Sequence, residues 1–171
     1  MTMARIQQSI EGVARFFAKH PQEGRVTDAA AVAILEEGLR CRAEGPNGAA
    51  LFSDMPESIG GGGSAPTPGW LLRAALANCD ATVIAMRAAQ LGVALTRLEV
   101  TVESDSDDRG MFGLGDGIPA GPLTMRIRVV IAADGASAGQ LRQIVEWAEA
   151  HSPVGDALRR VIPMSMTIEP A

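Results

Sequence analysis

Cysteine and histidine are scarce in this sequence, with two of each among 171 residues. Two cysteines cannot build a disulfide framework, and unpaired thiols are typical of a reducing compartment, so we expect a cytoplasmic location. Two histidines argue against a metal site. The glycine-rich stretch 113–117 lies between two strand patterns and is not a phosphate-binding loop, because no helix follows it. We therefore expect neither a metal nor a cofactor.

Excess positive charge and long apolar runs are also missing. The chain has 15 Lys and Arg residues against 20 Asp and Glu residues, whereas nucleic-acid binding requires a basic face. The most apolar stretch, 71–91, is interrupted by Arg73, Asp80 and Arg87 before it could span a bilayer. The N-terminal residues lack the apolar segment of a signal peptide. We expect neither nucleic acid nor a membrane as a partner.

The sequence does contain enough apolar surface for one folded core, since 47% of its residues are hydrophobic. Apolar periods near 3.6 and 2 occur in an irregular order, which predicts an α+β fold rather than a doubly wound sheet. The predicted helices cover 5–18, 67–91 and a stretch after Ser137, and a short helical turn follows Ser152. The predicted strands cover 39–44, 49–53, 98–102, 123–131 and 161–169, with a polar loop at 104–122.

The predicted helix at 67–91 carries one of the two cysteines. Thr67 and Pro68 are typical of the N-cap and the first helical position, and Gly92 is typical of the residue after a helix. The glycine run 60–63 before it predicts a flexible loop. Cys79 falls on an apolar stripe, which predicts a buried or interface position for it. The stripe consists of Leu72, Leu76, Cys79, Val83 and Met86.

Two separated runs resemble the family of osmotically inducible and organic-hydroperoxide-resistance proteins (OsmC/Ohr). They are DMPESIGGGGSAPTPGWLLRAALANC at 54–79 and HSPVGDALRRVIPMSMTIE at 151–169. The resemblance covers about 30–169, so that 1–171 is interpreted as a single OsmC-like domain with an N-terminal helical extension at 1–25. It implies an intertwined homodimer, with antiparallel sheets wrapped around two long central helices and reactive thiols at the dimer interface.

The resemblance also implies thiol-dependent reduction of hydroperoxides. In the family a first cysteine attacks the peroxide, a second cysteine resolves the sulfenic acid as a disulfide, and an external thiol restores the enzyme. Cys79 matches the first cysteine, but Ser152 stands where the second is expected. Gly69 stands where the family has a glutamate that orients an arginine beside the thiolate. The internal resolving step is therefore lost.

The helix itself cannot activate Cys79. A free thiol titrates near ~8.5 and reacts as the thiolate, which apolar surroundings disfavour. Cys79 lies eleven residues after Pro68, or roughly 16 Å at ~1.5 Å per residue, and the helix dipole acts mainly within the first turn. A cation from elsewhere is required. We assign that role to Arg42, with Arg40 and Arg109 as alternatives.

Three hypotheses follow. The first is a one-cysteine reductase of organic hydroperoxides in oxidative-stress defence, which Cys79 favours and which needs an external thiol reductant. The second is a catalytically degenerate dimer that binds a small apolar ligand at its interface, which Ser152 and Gly69 favour. The third is a structural dimer with no ligand. An apolar pocket could be lined by Met86, Met111, Phe112 and Leu114.

Several of these residues also have simpler interpretations. Ser152 with Pro153 is typical of a helix start. Cys41 is expected to face inwards from a strand, and His151 to pack or lie at the surface. A resolving pair between Cys41 and Cys79 would require Cα atoms within about 7 Å.

Overall fold

A computed structural model describes residues 2–170 of the chain. Five α-helices are found there: α1 (Met3–Lys19), α2 (Pro68–Gln90), α3 (Asp108–Met111), α4 (Ala138–Ala150) and α5 (Pro153–Arg159). The five strands are β1 (Val32–Glu37), β2 (Arg40–Glu44), β3 (Ala50–Ser53), β4 (Leu95–Asp105) and β5 (Thr124–Ala133). Short 3₁₀ turns lie at Pro21–Gly24, Pro46–Gly48 and Glu57–Ile59. The predicted α+β class is confirmed.

The described residues form two compact units. The thiol unit comprises 2–7, 76–101 and 127–170, and the glycine-loop unit comprises 8–75 and 102–126. The assignment of 1–171 to a single domain stays a prediction. None of the helices within 2–170 is both long and apolar enough to cross a membrane.

The core of the thiol unit lies between α2 and α4. It consists of Ile84, Ala88, Val93, Ile144 and Ala148, with apolar side chains of β4 and β5 packed against it. The buried stripe of α2 is Leu76, Asp80, Ile84 and Ala88, at helical spacing. This stripe shares Leu76 with the predicted one, and its later members lie one or two positions further along the helix. Cys79 is half-buried and Met86 is exposed, so the burial predicted for their stripe is incomplete within this chain.

The predicted ends of α2 are confirmed. Thr67 Oγ1 accepts a hydrogen bond of 3.2 Å from the Trp70 N–H. At the other end Gly92 has a φ of +69°, and the Val93 N–H donates to the Ala88 carbonyl at 2.9 Å. Only glycine adopts this left-handed conformation readily, which ends the helix at a defined residue.

The three-stranded antiparallel sheet of the glycine-loop unit has the order β1-β2-β3. The hairpin between β2 and β3 occurs as predicted, with Cys41 opposite Ser53 and a turn at Pro46–Gly48. The strand predicted at 39–44 is only partly correct. Leu39 is exposed and lies in the turn that joins β1 to β2. β1 was not predicted as a strand, because its residues do not alternate between apolar and polar.

The predicted strand at 161–169 is wrong for this chain taken alone. Its residues form no strand, and Val161, Met164 and Met166 are each about nine-tenths exposed, at 96%, 94% and 88%. A strand requires hydrogen bonds to a neighbour, and Pro163 has no N–H to donate. The polar loop at 104–122 also contains more structure than predicted, since Asp107 caps α3 within it.

The glycine run 60–63 forms an ordered loop around the buried side chain of Asp54. This carboxylate accepts hydrogen bonds from the N–H groups of Met55 (2.8 Å), Ser64 (3.0 Å) and Gly62 (3.4 Å), and from the Ser64 hydroxyl (2.8 Å). These bonds, those of Ser64 first, lower the pKa of Asp54 from 3.8 to about 2. At Gly61 a Cβ atom would overlap the Met55 carbonyl, so this position requires glycine. These contacts hold the loop in the conformation described, and its flexibility stays a prediction.

Candidate active site

The structure brings Cys79 and Ser152 together, although 73 residues separate them in the sequence. The Ser152 hydroxyl donates a hydrogen bond of 3.3 Å to the Cys79 sulfur. Ser152 is completely buried, and its oxygen accepts a second hydrogen bond of 3.1 Å from the Gly155 N–H. The predicted N-cap role of Ser152 is therefore confirmed. The same hydroxyl contacts the only cysteine of α2.

The Cys79 side chain opens into a pocket of about 480 Å³ within the thiol unit. The exposed wall of this pocket is almost entirely apolar. Such a wall suits the hydrocarbon part of a small organic molecule, with the thiol as the reactive group at one side. The residues around it are Asn78, Cys79, Thr82, Val83, Met86, Gln90, Trp147, His151 and Pro153.

An aromatic stack forms one side of the thiol pocket. The imidazole of His151 lies parallel to the Trp147 indole, with ring centres 3.9 Å apart and planes 10° apart. His151 Nδ1 lies 2.7 Å from the Trp147 carbonyl oxygen. The Arg87 guanidinium lies over the same indole at 4.4 Å, a cation–π contact. His151 thus lines the pocket, and the spacing of four between Trp147 and His151, at the C-terminal end of α4, was the signal in the sequence.

Two charged side chains of α2 carry buried atoms without hydrogen-bond partners among residues 2–170. They are Oδ1 of Asp80 and Nε of Arg87. Asp80 follows Cys79 directly and is only 5% exposed. A buried polar atom without a partner is destabilising and uncommon. The sequence pattern gave no sign of it, because a single acidic residue within an apolar helix is usually exposed.

The three arginines predicted as activators all lie in the glycine-loop unit and bind carboxylates there. Arg42 donates to Glu36 at 2.9 Å and also pairs with Glu44, while Arg40 donates to Glu36 at 3.2 Å. Arg109 pairs with Asp107, which raises the pKa of that arginine and lowers the pKa of Asp107. The role of Arg42 beside Cys79 stays a prediction.

Gly69 faces a different arginine from those predicted. A Cβ atom at this position would lie 4.0 Å from Nη1 of Arg73, one helical turn further along α2. Arg73 in turn donates to the Ser104 hydroxyl at 3.1 Å. If a glutamate stood at position 69, Arg73 would be its neighbour at the favourable i, i+4 spacing.

The apolar residues predicted to line one pocket belong to separate ones. Met86 lines the thiol pocket, whereas Met111 and Phe112 line a pocket of about 570 Å³ in the glycine-loop unit, which also includes Gly69 and Arg73. Leu114 is exposed.

Both cysteines are free thiols, and Cys41 is half-buried in β2.

No match to this chain is found among curated proteins, whereas several solved structures have a similar fold. Among solved structures, the chain is similar to an OsmC-like protein from Mycoplasma pneumoniae, with a TM-score of 0.66 and 15% identity over 80% of this chain and 91% of that one. It is also similar to the organic hydroperoxide resistance protein OsmC from Legionella pneumophila, with a TM-score of 0.56 and 21% identity over 79% and 91% of the two chains.

A third similar structure is the organic hydroperoxide resistance protein OhrB of Bacillus subtilis, with a TM-score of 0.52 and 16% identity over 79% of this chain and 93% of that one. At such identities the likeness shows a shared fold. The family model described as OsmC-like protein matches residues 61–167, which is more than half of the chain and includes both Cys79 and Ser152. The chain therefore belongs to the OsmC-like protein family.

Proposed function

We propose that this protein reduces organic hydroperoxides, with Cys79 as its one peroxide-reactive thiol. The observation that carries the proposal is the Ser152–Cys79 hydrogen bond of 3.3 Å at the wall of an apolar pocket. The pocket would hold the organic part of the substrate while its peroxide group meets the sulfur. The hydroperoxide resistance proteins of similar fold support the same chemistry.

Ser152 contributes to this chemistry through its hydroxyl. Its O–H donates to the Cys79 sulfur while its oxygen accepts from the Gly155 N–H. The hydroxyl thus links the sulfur to the backbone at the start of α5, and two hydrogen bonds in series strengthen each other. Ser152 therefore takes a supporting part beside the nucleophile, although it cannot form a disulfide.

The reaction has two stages. The Cys79 thiolate attacks the outer oxygen of the hydroperoxide, so that an S–O bond forms, the O–O bond breaks, and an alcohol leaves after gaining a proton. Sulfur is oxidised to a sulfenic acid as the peroxide is reduced. An external thiol then displaces water from the sulfenic acid, and a second thiol releases Cys79 from the mixed disulfide. The external thiol is required because Ser152 has no sulfur.

Mass spectrometry after treatment with one equivalent of tert-butyl hydroperoxide tests this proposal. We expect one or two added oxygens on the peptide that carries Cys79 and none on the peptide that carries Cys41, because only Cys79 opens into the thiol pocket. Cys41 is the internal control, and Cys79→Ser should abolish peroxide consumption. Equal oxidation of both cysteines, or of neither, would contradict the proposed reaction.

Binding of a small apolar ligand without chemistry is the second candidate. It is favoured by the apolar wall of the thiol pocket and by the glycine at position 69. In that case an apolar ligand should raise the melting temperature while both cysteines stay unmodified by peroxide until the protein unfolds.

We further propose that the protein is a homodimer, with the second copy covering apolar side chains that the single chain exposes. Val161, Met164 and Met166 at the C-terminal end are nearly fully exposed, and Phe16 and Phe17 of α1 are 49% and 42% exposed. An exposed apolar surface of this kind is typical of an interface. Sedimentation at micromolar concentration should give the mass of a dimer, and a monomer would overturn this proposal.

A further inference from the structure

The thiol pocket contains a second side chain that exchanges protons. Of the described residues that line it, only Cys79 and His151 titrate; the others are amides, a hydroxyl, an indole and apolar groups. His151 directly precedes Ser152, whose hydroxyl contacts the Cys79 sulfur. The imidazole, at the end of α4, and the thiol therefore line the same pocket.

The orientation of the imidazole is fixed by two contacts. Nδ1 lies 2.7 Å from the Trp147 carbonyl oxygen, and because a carbonyl only accepts, Nδ1 carries a hydrogen. The ring also stacks on the Trp147 indole at 3.9 Å. Nε2 is consequently the nitrogen that gains and loses a proton, while Nδ1 stays bound to the helix.

Charged and titratable side chains lie near the stacked rings. On α2 they are Cys79, which lines the same pocket, and Arg87, whose guanidinium lies 4.4 Å from the indole centre. Arg159 of α5 pairs with Glu149 of α4 at 3.6 Å, so this carboxylate has its own partner.

The reduction of an alkyl hydroperoxide requires such a proton. When the O–O bond breaks, the departing alkoxide is a strong base and leaves readily only as the alcohol. Ser152 cannot supply the proton without becoming an alkoxide itself, and its hydrogen already points to the sulfur. A charged imidazole can supply it and recover one from solvent, since His151 is exposed.

We infer that His151 is the catalytic acid of this site, an inference that rests on the proposed reduction of hydroperoxides. The Cys79 thiolate forms the S–O bond, the electrons of the O–O bond pass to the inner oxygen, and the Nε2 proton of the imidazolium passes to that oxygen. The products are a sulfenic acid, an alcohol and neutral His151, which regains its proton from water. Sulfur loses two electrons and the peroxide gains them.

His151→Gln tests the inference, with His20→Gln as the matched control because His20 is the other histidine and lies just after α1, with its ring centre 4.8 Å from that of Phe16. With tert-butyl hydroperoxide, whose leaving group is an alkoxide, oxidation of Cys79 should be slower in His151→Gln on the order of 100-fold. With peracetic acid, whose carboxylate leaving group needs no proton, the rates of the variant and the wild type should agree within a few fold. His20→Gln should match the wild type with both oxidants.

The pH profile gives a second readout that a structural role would not change. The wild-type rate with tert-butyl hydroperoxide should rise and then fall with pH, since it needs a thiolate and an imidazolium together. In His151→Gln the fall on the alkaline side should disappear.

Equal slowing of His151→Gln with both oxidants, or no slowing with either, would overturn the role of His151 and leave the proposed function standing. If Cys79 of the wild type reacts with neither oxidant, the proposed function fails and the inference fails with it. Thermal unfolding of each variant checks that the fold is retained.

Discussion

Ser152→Cys should give a protein that forms an internal disulfide when it meets one equivalent of hydroperoxide. The Ser152 oxygen lies 3.3 Å from the Cys79 sulfur, so a sulfur at that position would lie within reach of a sulfenic acid on Cys79. The introduced thiol displaces water, and the S–S bond replaces the S–OH group. Peptide mapping without reductant should show the two segments joined, and the bond should disappear on treatment with dithiothreitol.

Ser137→Cys is a matched control for this experiment. Ser137 caps α4 as Ser152 caps α5, each through a hydrogen bond to a backbone N–H. Both variants weaken a helix cap, by typically ~1 kcal/mol. Ser137 precedes the 13 residues of α4, which span roughly 20 Å at ~1.5 Å per residue. A disulfide to Cys79 in both variants, or in neither, would contradict the pairing of Cys79 with position 152.

Only the family resemblance predicted from the sequence that Cys79 and Ser152 lie close together. The local signals at each position predicted a helical cysteine and an N-cap serine, and both are correct. Nothing in apolar periodicity brings together two residues separated by 73 positions, because periodicity reports the face of an element and not its neighbour. The order of two motifs supplied that long-range information.

The local predictions succeeded where backbone chemistry dominates. Pro68 and Gly92 define the two ends of α2, since one lacks an N–H and the other adopts a positive φ. The local predictions failed where the structure of a segment depends on a neighbouring segment. The strand pattern at 161–169 finds no neighbouring strand among residues 2–170, and the stripe of Cys79, predicted to be buried or at an interface, is only half-buried at Cys79 within these residues.

Tertiary contacts within each unit could not be predicted from the spacing of residues. Arg87 reaches the Trp147 indole from another helix, and Asp54 closes the glycine run through hydrogen bonds to residues as many as ten positions away. A glycine run by itself is typical of a mobile linker. The carboxylate that binds the loop lies outside the run, so the composition of the run alone does not predict these contacts.

Asp54→Asn should lower the melting temperature near neutral pH by several degrees, and the difference from the wild type should shrink in acid. The Asp54 carboxylate accepts four hydrogen bonds, whereas an asparagine has one accepting oxygen and turns an NH₂ group towards donors. These bonds hold the loop before α2. Losing them leaves backbone N–H groups of the loop, among those of Met55, Gly62 and Ser64, without their acceptor.

The pH dependence has a definite sign. Folding lowers the pKa of Asp54 from 3.8 to about 2, so its contribution to stability is fully present above 3.8 and is lost as the pH falls through about 2. Melting temperatures of wild type and Asp54→Asn should therefore differ most near neutral pH and converge towards pH 2. Asp28→Asn is the control, because Asp28 is exposed, and it should follow the wild type throughout. A constant difference between Asp54→Asn and the wild type across this range would show that the charge of Asp54 does not stabilise the loop.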